Sequence, residues 1–165
     1  MRDPITPCIW MNGTAEEAAA FYVGLFDKAR VDRIMRYSAD HPFPPSFPAG
    51  TALLVEFTIN GQPFALLNGG PEFPQSEAVS FVIAAEDQAE LDRYWNGLIA
   101  DGGAESMCGW CKDRFGVSWQ VMPRALLDMQ ERATPEQRAR LWGVILSSRK
   151  LDVAALEAAF EGKDA

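Results

Sequence analysis

Cys108-Gly-Trp-Cys-Lys-Asp-Arg-Phe-Gly-Val-Ser-Trp-Gln-Val-Met-Pro123 reads as a β-hairpin, with strand-forming runs on either side of a charged turn that closes on Gly116. Lys112, Asp113 and Arg114 are expected to be a solvated turn. Cys108 and Cys111 have the spacing of a redox pair. Redox pairs, however, depend on a helix N-terminus or a basic neighbour that lowers a thiol pKa. Residues three apart on a strand point to opposite faces, so the reading is structural, and only a bulge at Gly109 would bring the sulfurs together.

The second arm has a counterpart earlier in the chain. Gly61-Gln-Pro-Phe-Ala-Leu-Leu67 aligns with Gly116-Val-Ser-Trp-Gln-Val-Met122, which puts Ala65 at the position of Gln120. The preceding elements repeat as well. Residues 5–11 read as a buried strand, and Asn12-Gly13 then turns into a helix capped by Thr14, with Glu17 completing a capping box. Residues 79–85 read as the matching strand, followed by Asp87 as cap with Glu90. From each cap, aromatic residues fall at the same offsets: Phe21 and Tyr22 in one helix, Tyr94 and Trp95 in the other. Both helices carry one apolar stripe, as a helix on a sheet must.

Residues 31–37, 51–59 and 64–68 supply further strands, with Asn60-Gly61 as a hairpin turn. Residues 38–50 hold Pro42, Pro44, Pro45 and Pro48, which denies them regular structure. The fold class is therefore α+β, two tandem βαβββ modules at about 4–70 and 78–123 within a domain 1–123. A helical extension at 124–165 follows, with helices at 125–130, after the Thr134 capping box, and after Asp152. Its helices are too short to stand alone, so they dock on the body or on a partner chain.

Composition narrows the function. The 165 residues are 48% hydrophobic and carry a net charge of −8, with no Lys/Arg run to neutralise phosphates, so nucleic acid is not an expected partner. No apolar run approaches the roughly 20 residues that span a bilayer, and the first residues lack the apolar core of a signal peptide. A soluble, cytoplasmic protein with no membrane partner is expected, and three cysteines suit a reducing compartment.

The repeat resembles the vicinal oxygen chelate superfamily, and within it the PhnB-like family often labelled 3-demethylubiquinone-9 3-methyltransferase-like. The resemblance rests on Thr6-Pro-Cys-Ile-Trp10, Asn68-Gly-Gly-Pro71 and Cys-Gly-Trp through Trp-Gln at 108–120, and covers about 5–123. It implies a cupped mixed sheet of the glyoxalase/bleomycin resistance type, holding a small ligand or a metal, and commonly a homodimer. Metal-dependent members carry His, Gln or Glu on the first and last strands of each half. Here those positions fall on Thr6, Ala65, Ser80 and Gln120, none of them a His or a carboxylate, so no metal and no cofactor are expected. An S-adenosylmethionine site would need a Gly-rich turn between a parallel strand and a helix, a unit not evident in the sequence.

With the large apolar residues assigned to the helix-facing side, the implied cup is lined by Thr6, Cys8, Trp10, Glu56, Thr58, Ser80, Ser118 and Gln120. Glu56, the one carboxylate among them, is the candidate catalytic base; the plainer alternative is a solvated strand residue. His41, Phe43 and Phe47 stand in the proline-rich loop, as lid residues or as loop packing. The expected function is small-molecule binding in the cup, with a small-molecule ligand as partner. The alternatives are antibiotic sequestration without turnover, or a metal-dependent lyase, dioxygenase or transferase if the ligand positions are misaligned.

Overall fold

The computed structural model describes residues 5–40 and 47–163. His41, Pro42, Phe43, Pro44 and Pro45 lie outside the described residues. The chain divides into two compact units, residues 1–75 and 76–165.

The first unit contains β1 (Cys8–Met11), α1 (Ala15–Leu25), β2 (Ala29–Arg36), β3 (Ala52–Ile59) and β4 (Gln62–Asn68). The sheet order is β1-β4-β3-β2, with β1 parallel to β4 and the other pairs antiparallel. Asn60 (φ 49°) and Gly61 (φ 83°) form the two-residue turn that the sequence predicts. Alternation along β3 sends Val55, Phe57 and Ile59 into the core. There Tyr22 of α1 stacks on Phe57 at 5.7 Å, and Phe57 on Phe64 at 5.3 Å.

The expected Thr14 cap is not formed: its backbone sits at φ −103°, ψ 12°, and its side chain caps nothing. Asn68, from the end of β4, takes over. Its Oδ1 accepts from the Ala15 N–H at 3.1 Å, its Nδ2 donates to the Ala52 carbonyl at 2.8 Å, and its own carbonyl accepts from Tyr37 Oη at 2.6 Å. A single buried amide thus ties the helix start to the sheet, satisfying an otherwise orphaned N–H from a distance in sequence that local capping rules do not see.

The second unit contains β5 (Phe81–Ala85), α2 (Gln88–Ile99), a 3₁₀ turn (Ala100–Gly102), β6 (Ala104–Glu105), β7 (Trp110–Lys112) and β8 (Ser118–Pro123). Its order, β5-β8-β7-β6, repeats that of the first sheet, with β5 parallel to β8. Asp87 caps α2 through the Glu90 N–H at 2.8 Å, while Glu90 reaches back to the Glu86 N–H at 2.7 Å. The first arm of the expected hairpin does not start as strand at Cys108, because Cys108 (φ 62°) and Gly109 (φ 79°) turn the chain over. A Cβ on Gly109 would lie 3.0 Å from the Val121 carbonyl oxygen, so both conformation and space require glycine there.

The extension forms α3 (Arg124–Arg132), α4 (Pro135–Ser147) and α5 (Val153–Glu161). The Thr134–Gln137 capping box and the Asp152 cap are both made. The Cys108–Gly109 turn is the extension's dock: the Cys108 N–H donates to the Ser148 carbonyl at 2.7 Å and the Gly109 N–H to the Arg149 carbonyl at 2.8 Å. The α4–α5 link is fixed by the motif that looked, in sequence, like a redox pair.

Candidate functional site

Along β3, Glu56 and Thr58 alternate with the core residues Val55, Phe57 and Ile59, and along β8 Ser118 and Gln120 alternate with buried Trp119 and Val121. In the first unit the ladder aligns Cys8 with Ala65, Ala65 with Glu56, and Glu56 with Arg33, one row across all four strands. In the second it aligns Val82 with Gln120 and Gln120 with Trp110. Because Cys8 pairs with Ala65 as Val82 pairs with Gln120, stepping back two residues makes Thr6 the counterpart of Ser80. The strand registers therefore give the same four equivalent positions as the sequence repeat.

The first row closes on itself. Arg33 Nε donates to Glu56 Oε2 at 2.6 Å and Arg33 Nη2 to Oε1 at 3.0 Å, a bidentate pair. The guanidinium's hydrogen bonds, outweighing partial desolvation, hold the Glu56 carboxyl below its ordinary range. Thr58 is buried and donates to Asp32 Oδ2 at 2.5 Å; Asp32 stands at the irregularity between Val31 and Arg33 and also accepts from Arg30 Nε at 2.8 Å. Cys8 is exposed, with its thiol raised by partial desolvation.

Trp10 is held down by the segment after β4. Its Nε1 donates to the Gly70 carbonyl at 2.8 Å, its carbonyl accepts from Gln75 Nε2, and Phe73 meets its ring edge-on at 4.8 Å. A Cβ on Gly69 would lie 2.1 Å from Trp10 Cζ2, so the Asn-Gly-Gly-Pro motif is the seat of this indole.

The second row is neutral. Gln120 Nε2 donates to Ser80 Oγ at 2.8 Å, bringing together two predicted residues that stand forty apart in sequence. Two positions back on the same strand, Ser118 is 2% exposed, and its hydroxyl has no hydrogen-bond partner among the described residues. The Thr6 hydroxyl is likewise buried, with no partner among the described residues. Buried hydroxyls are normally satisfied, so these two stand out among the described residues.

The charged turn departs from expectation. Asp113 is 2% exposed, not solvated: Oδ1 accepts from the Phe115 and Val117 N–H groups at 2.9 and 3.1 Å, and Oδ2 from Trp119 Nε1 at 2.8 Å. The signal was present as Asp-x-x-Gly, an aspartate able to bond its own turn. Lys112 and Arg114 keep partial exposure and pair with Glu77 and Asp101. Cys111 is buried, and desolvation followed by the Asp113 charge pushes its thiol up to about 12, the opposite of redox activation. All three cysteines are free.

The family model described as 3-demethylubiquinone-9 3-methyltransferase matches residues 3–122. The chain belongs to that family. Its PhnB-like character is carried by a solved structure, the putative 3-demethylubiquinone-9 3-methyltransferase, PhnB protein, from Bacillus cereus. That structure is 31% identical, with a TM-score of 0.66, covering 73% of this chain and 99% of its own. Protein PA1353 from Pseudomonas aeruginosa shares the fold at 22% identity and a TM-score of 0.59, over 72% of this chain and 96% of that one. A fosfomycin resistance protein, FosX, from Listeria monocytogenes does so at 16% identity and a TM-score of 0.50, over 80% and 99%. No functionally curated protein matches. The fold is thus that of the vicinal oxygen chelate superfamily, two four-stranded mixed sheets with helices, here followed by C-terminal helices.

Two groups that this kinship implies can be tested against the residues. A methyl donor's strand–turn–helix seat would fall at Met11-Asn-Gly-Thr14, which offers a single glycine and a helix N-terminus already taken by Asn68; the fit is poor. For a divalent metal, the four equivalent positions offer two hydroxyls, a methyl and an amide, while nearby Glu56 is engaged at both oxygens by Arg33. That donor set does not fit a divalent ion either. Among the described residues, no helix is long and apolar enough to cross a membrane.

Proposed function

We propose that this PhnB-like protein binds a small molecule on a sheet face, with the second sheet supplying the recognition. The observation that carries this reading is the Gln120–Ser80 pair, on a strand that also carries Ser118, whose hydroxyl is buried with no partner among the described residues. Around it the register sets the half-buried Trp110, an aromatic surface next to an amide and hydroxyls, the usual furnishing of a ligand site. Thr6, Cys8, Trp10 and Thr58 form the corresponding face of the first sheet. In this reading Glu56 is an ion-pair partner rather than a general base. A base poised near neutrality needs its pKa raised, and Arg33 lowers it.

The chain acts in the cytoplasm, where its three thiols stay reduced, and as a homodimer. A net charge of −8 favours neutral or cationic ligands over anions. Binding without turnover, as in antibiotic sequestration, is favoured over a metal-dependent reaction by the donor set described above. A melting-temperature screen of small polar molecules, run with and without a chelator, tests this. The reading expects concentration-dependent stabilisation that the chelator leaves intact. Stoichiometric metal in the purified protein, with hits lost on chelation, would overturn it.

A further inference from the structure

Every asparagine of the chain, Asn12, Asn60, Asn68 and Asn96, is followed by glycine. A glycine has no side chain to shield its backbone nitrogen, which can attack the side-chain carbonyl carbon of the asparagine before it. The dipeptide is the same at all four sites, so only the fold sets them apart. At Asn68, 1% exposed, both ends of the amide are held, by the Ala15 N–H and the Ala52 carbonyl, and the Gly69 N–H donates to the Met11 carbonyl at 3.1 Å. Asn96 is exposed, but it and Gly97 lie inside α2, between buried Trp95 and Leu98, so their backbone moves only if the helix opens. Asn60 is exposed at φ 49°, yet its N–H donates to the Lys28 carbonyl at 2.8 Å and the Ile59–Gln62 rung closes the turn beneath it. Asn12 and Gly13 differ: both are exposed, and neither makes a hydrogen bond among the described residues. The turn itself requires Gly13, at φ 86° with Phe47 Cε1 3.0 Å from where a Cβ would stand.

We propose that Asn12 is a self-modifying site of the folded protein, converting to aspartate and isoaspartate with water as the only co-reactant. The Gly13 nitrogen gives its proton to solvent and bonds to Asn12 Cγ, the Cγ–Nδ2 bond breaks, and the amide nitrogen leaves as ammonia with a proton from solvent. Water then opens the succinimide. Breaking the bond from the Gly13 nitrogen to Cγ gives aspartate, and breaking its bond to the Asn12 main-chain carbonyl carbon gives isoaspartate. One water is consumed, one ammonia released, and a carboxylate that ionises at neutral pH is gained. It stands just ahead of the positive end of α1, whose first turn already holds Glu16 and Glu17. The fold thus exposes the asparagine it does not use and locks Asn68, on which the start of α1 depends.

The test ages the native full chain in mildly alkaline buffer and follows each asparagine by peptide mass spectrometry, with isoaspartate told from aspartate by its resistance to an aspartate-specific protease. Asn12 should convert at least about tenfold faster than any of the other three, equivalent to an opening cost of about 1.4 kcal/mol or more at the protected sites. In urea-unfolded chain the four rates should converge to within about threefold, because the dipeptide is the same. Asn12→Gln should remove the early acidic species from the native sample. Asn12→Asp should melt within about 2 °C of the wild type, and Asn68→Asp, which sets a carboxylate against the Ala52 carbonyl, at least about 4 °C below it. Native rates at Asn60 or Asn96 that match or exceed the rate at Asn12, or an Asn12 that stays intact while the unfolded chain reacts at all four sites, overturn the proposal. Equal melting losses in the two aspartate variants overturn the contrast between a used and an unused asparagine.

Discussion

The two sheets share order, direction and register, yet their equivalent rows have opposite chemistry. Where the first has Ala65 beside Glu56 and Arg33, the second has Gln120 beside Trp110. The first row satisfies its own charge through a bidentate pair; the second joins an amide to a hydroxyl and sets an indole opposite the amide. The shared ladder depends only on backbone and alternation, whereas the side chains along the equivalent rows differ. That divergence leaves two hydroxyls, a methyl and an amide at the equivalent positions, the donor chemistry on which the ligand-binding reading rests.

The hairpins of the two units offer the largest test of this comparison. The first closes on a two-residue Asn60-Gly61 turn, the second on a longer turn organised by buried Asp113. Asp113→Ala would orphan three donors, two of them in buried hydrogen bonds, and should cost about 3 kcal/mol, read as a lower denaturation midpoint at constant slope. Gly61→Ala, which only strains a positive-φ position, should cost about 1 kcal/mol. Equal losses would mean that Asp113 is not the organiser.

The helix starts differ in the same way. Asn68→Ala should cost about 2 kcal/mol by removing a buried cap and a buried donor together, while Thr14→Ala should stay within about 0.5 kcal/mol. For α2, whose cap is local, Asp87→Ala should cost about 1 kcal/mol.

A smaller effect separates the two rows. Glu56→Gln should cost about 1 kcal/mol or less at neutral pH. Because Arg33 lowers the Glu56 pKa, its stabilisation is complete above the unfolded carboxyl value of about 4.3 and disappears as pH falls through the lower folded value. The melting-temperature gap between wild type and Glu56→Gln should therefore be present at pH 7 and vanish in strong acid. Gln120→Leu, lacking any titrating group, should show a gap independent of pH.

Much of this was legible in the sequence, for a physical reason. Strand alternation, the Asn60-Gly61 turn and the caps at Asp87, Thr134 and Asp152 are local, and each forms as residue chemistry dictates. Even the equivalence of Ala65 with Gln120 survives, because the repeat aligns backbone positions. What escaped were partnerships across the fold. Arg33 reaches Glu56 across a strand pair, Asn68 reaches Ala15 from the end of a distant strand, and Asp113 is buried by Trp119. The Cys108–Gly109 turn was read as strand because its purpose, holding residues 148 and 149, lies forty residues downstream.

The central claim is that recognition belongs to the neutral row of the second sheet and needs no ion. The most direct measurement is calorimetric titration of the strongest hit from the melting screen into wild type, Gln120→Leu and Glu56→Gln, each with and without chelator. The account predicts at least a tenfold loss of affinity in Gln120→Leu, near-wild-type affinity in Glu56→Gln, and no chelator effect. Affinity that survives Gln120→Leu but falls with Glu56→Gln or with chelation would contradict it.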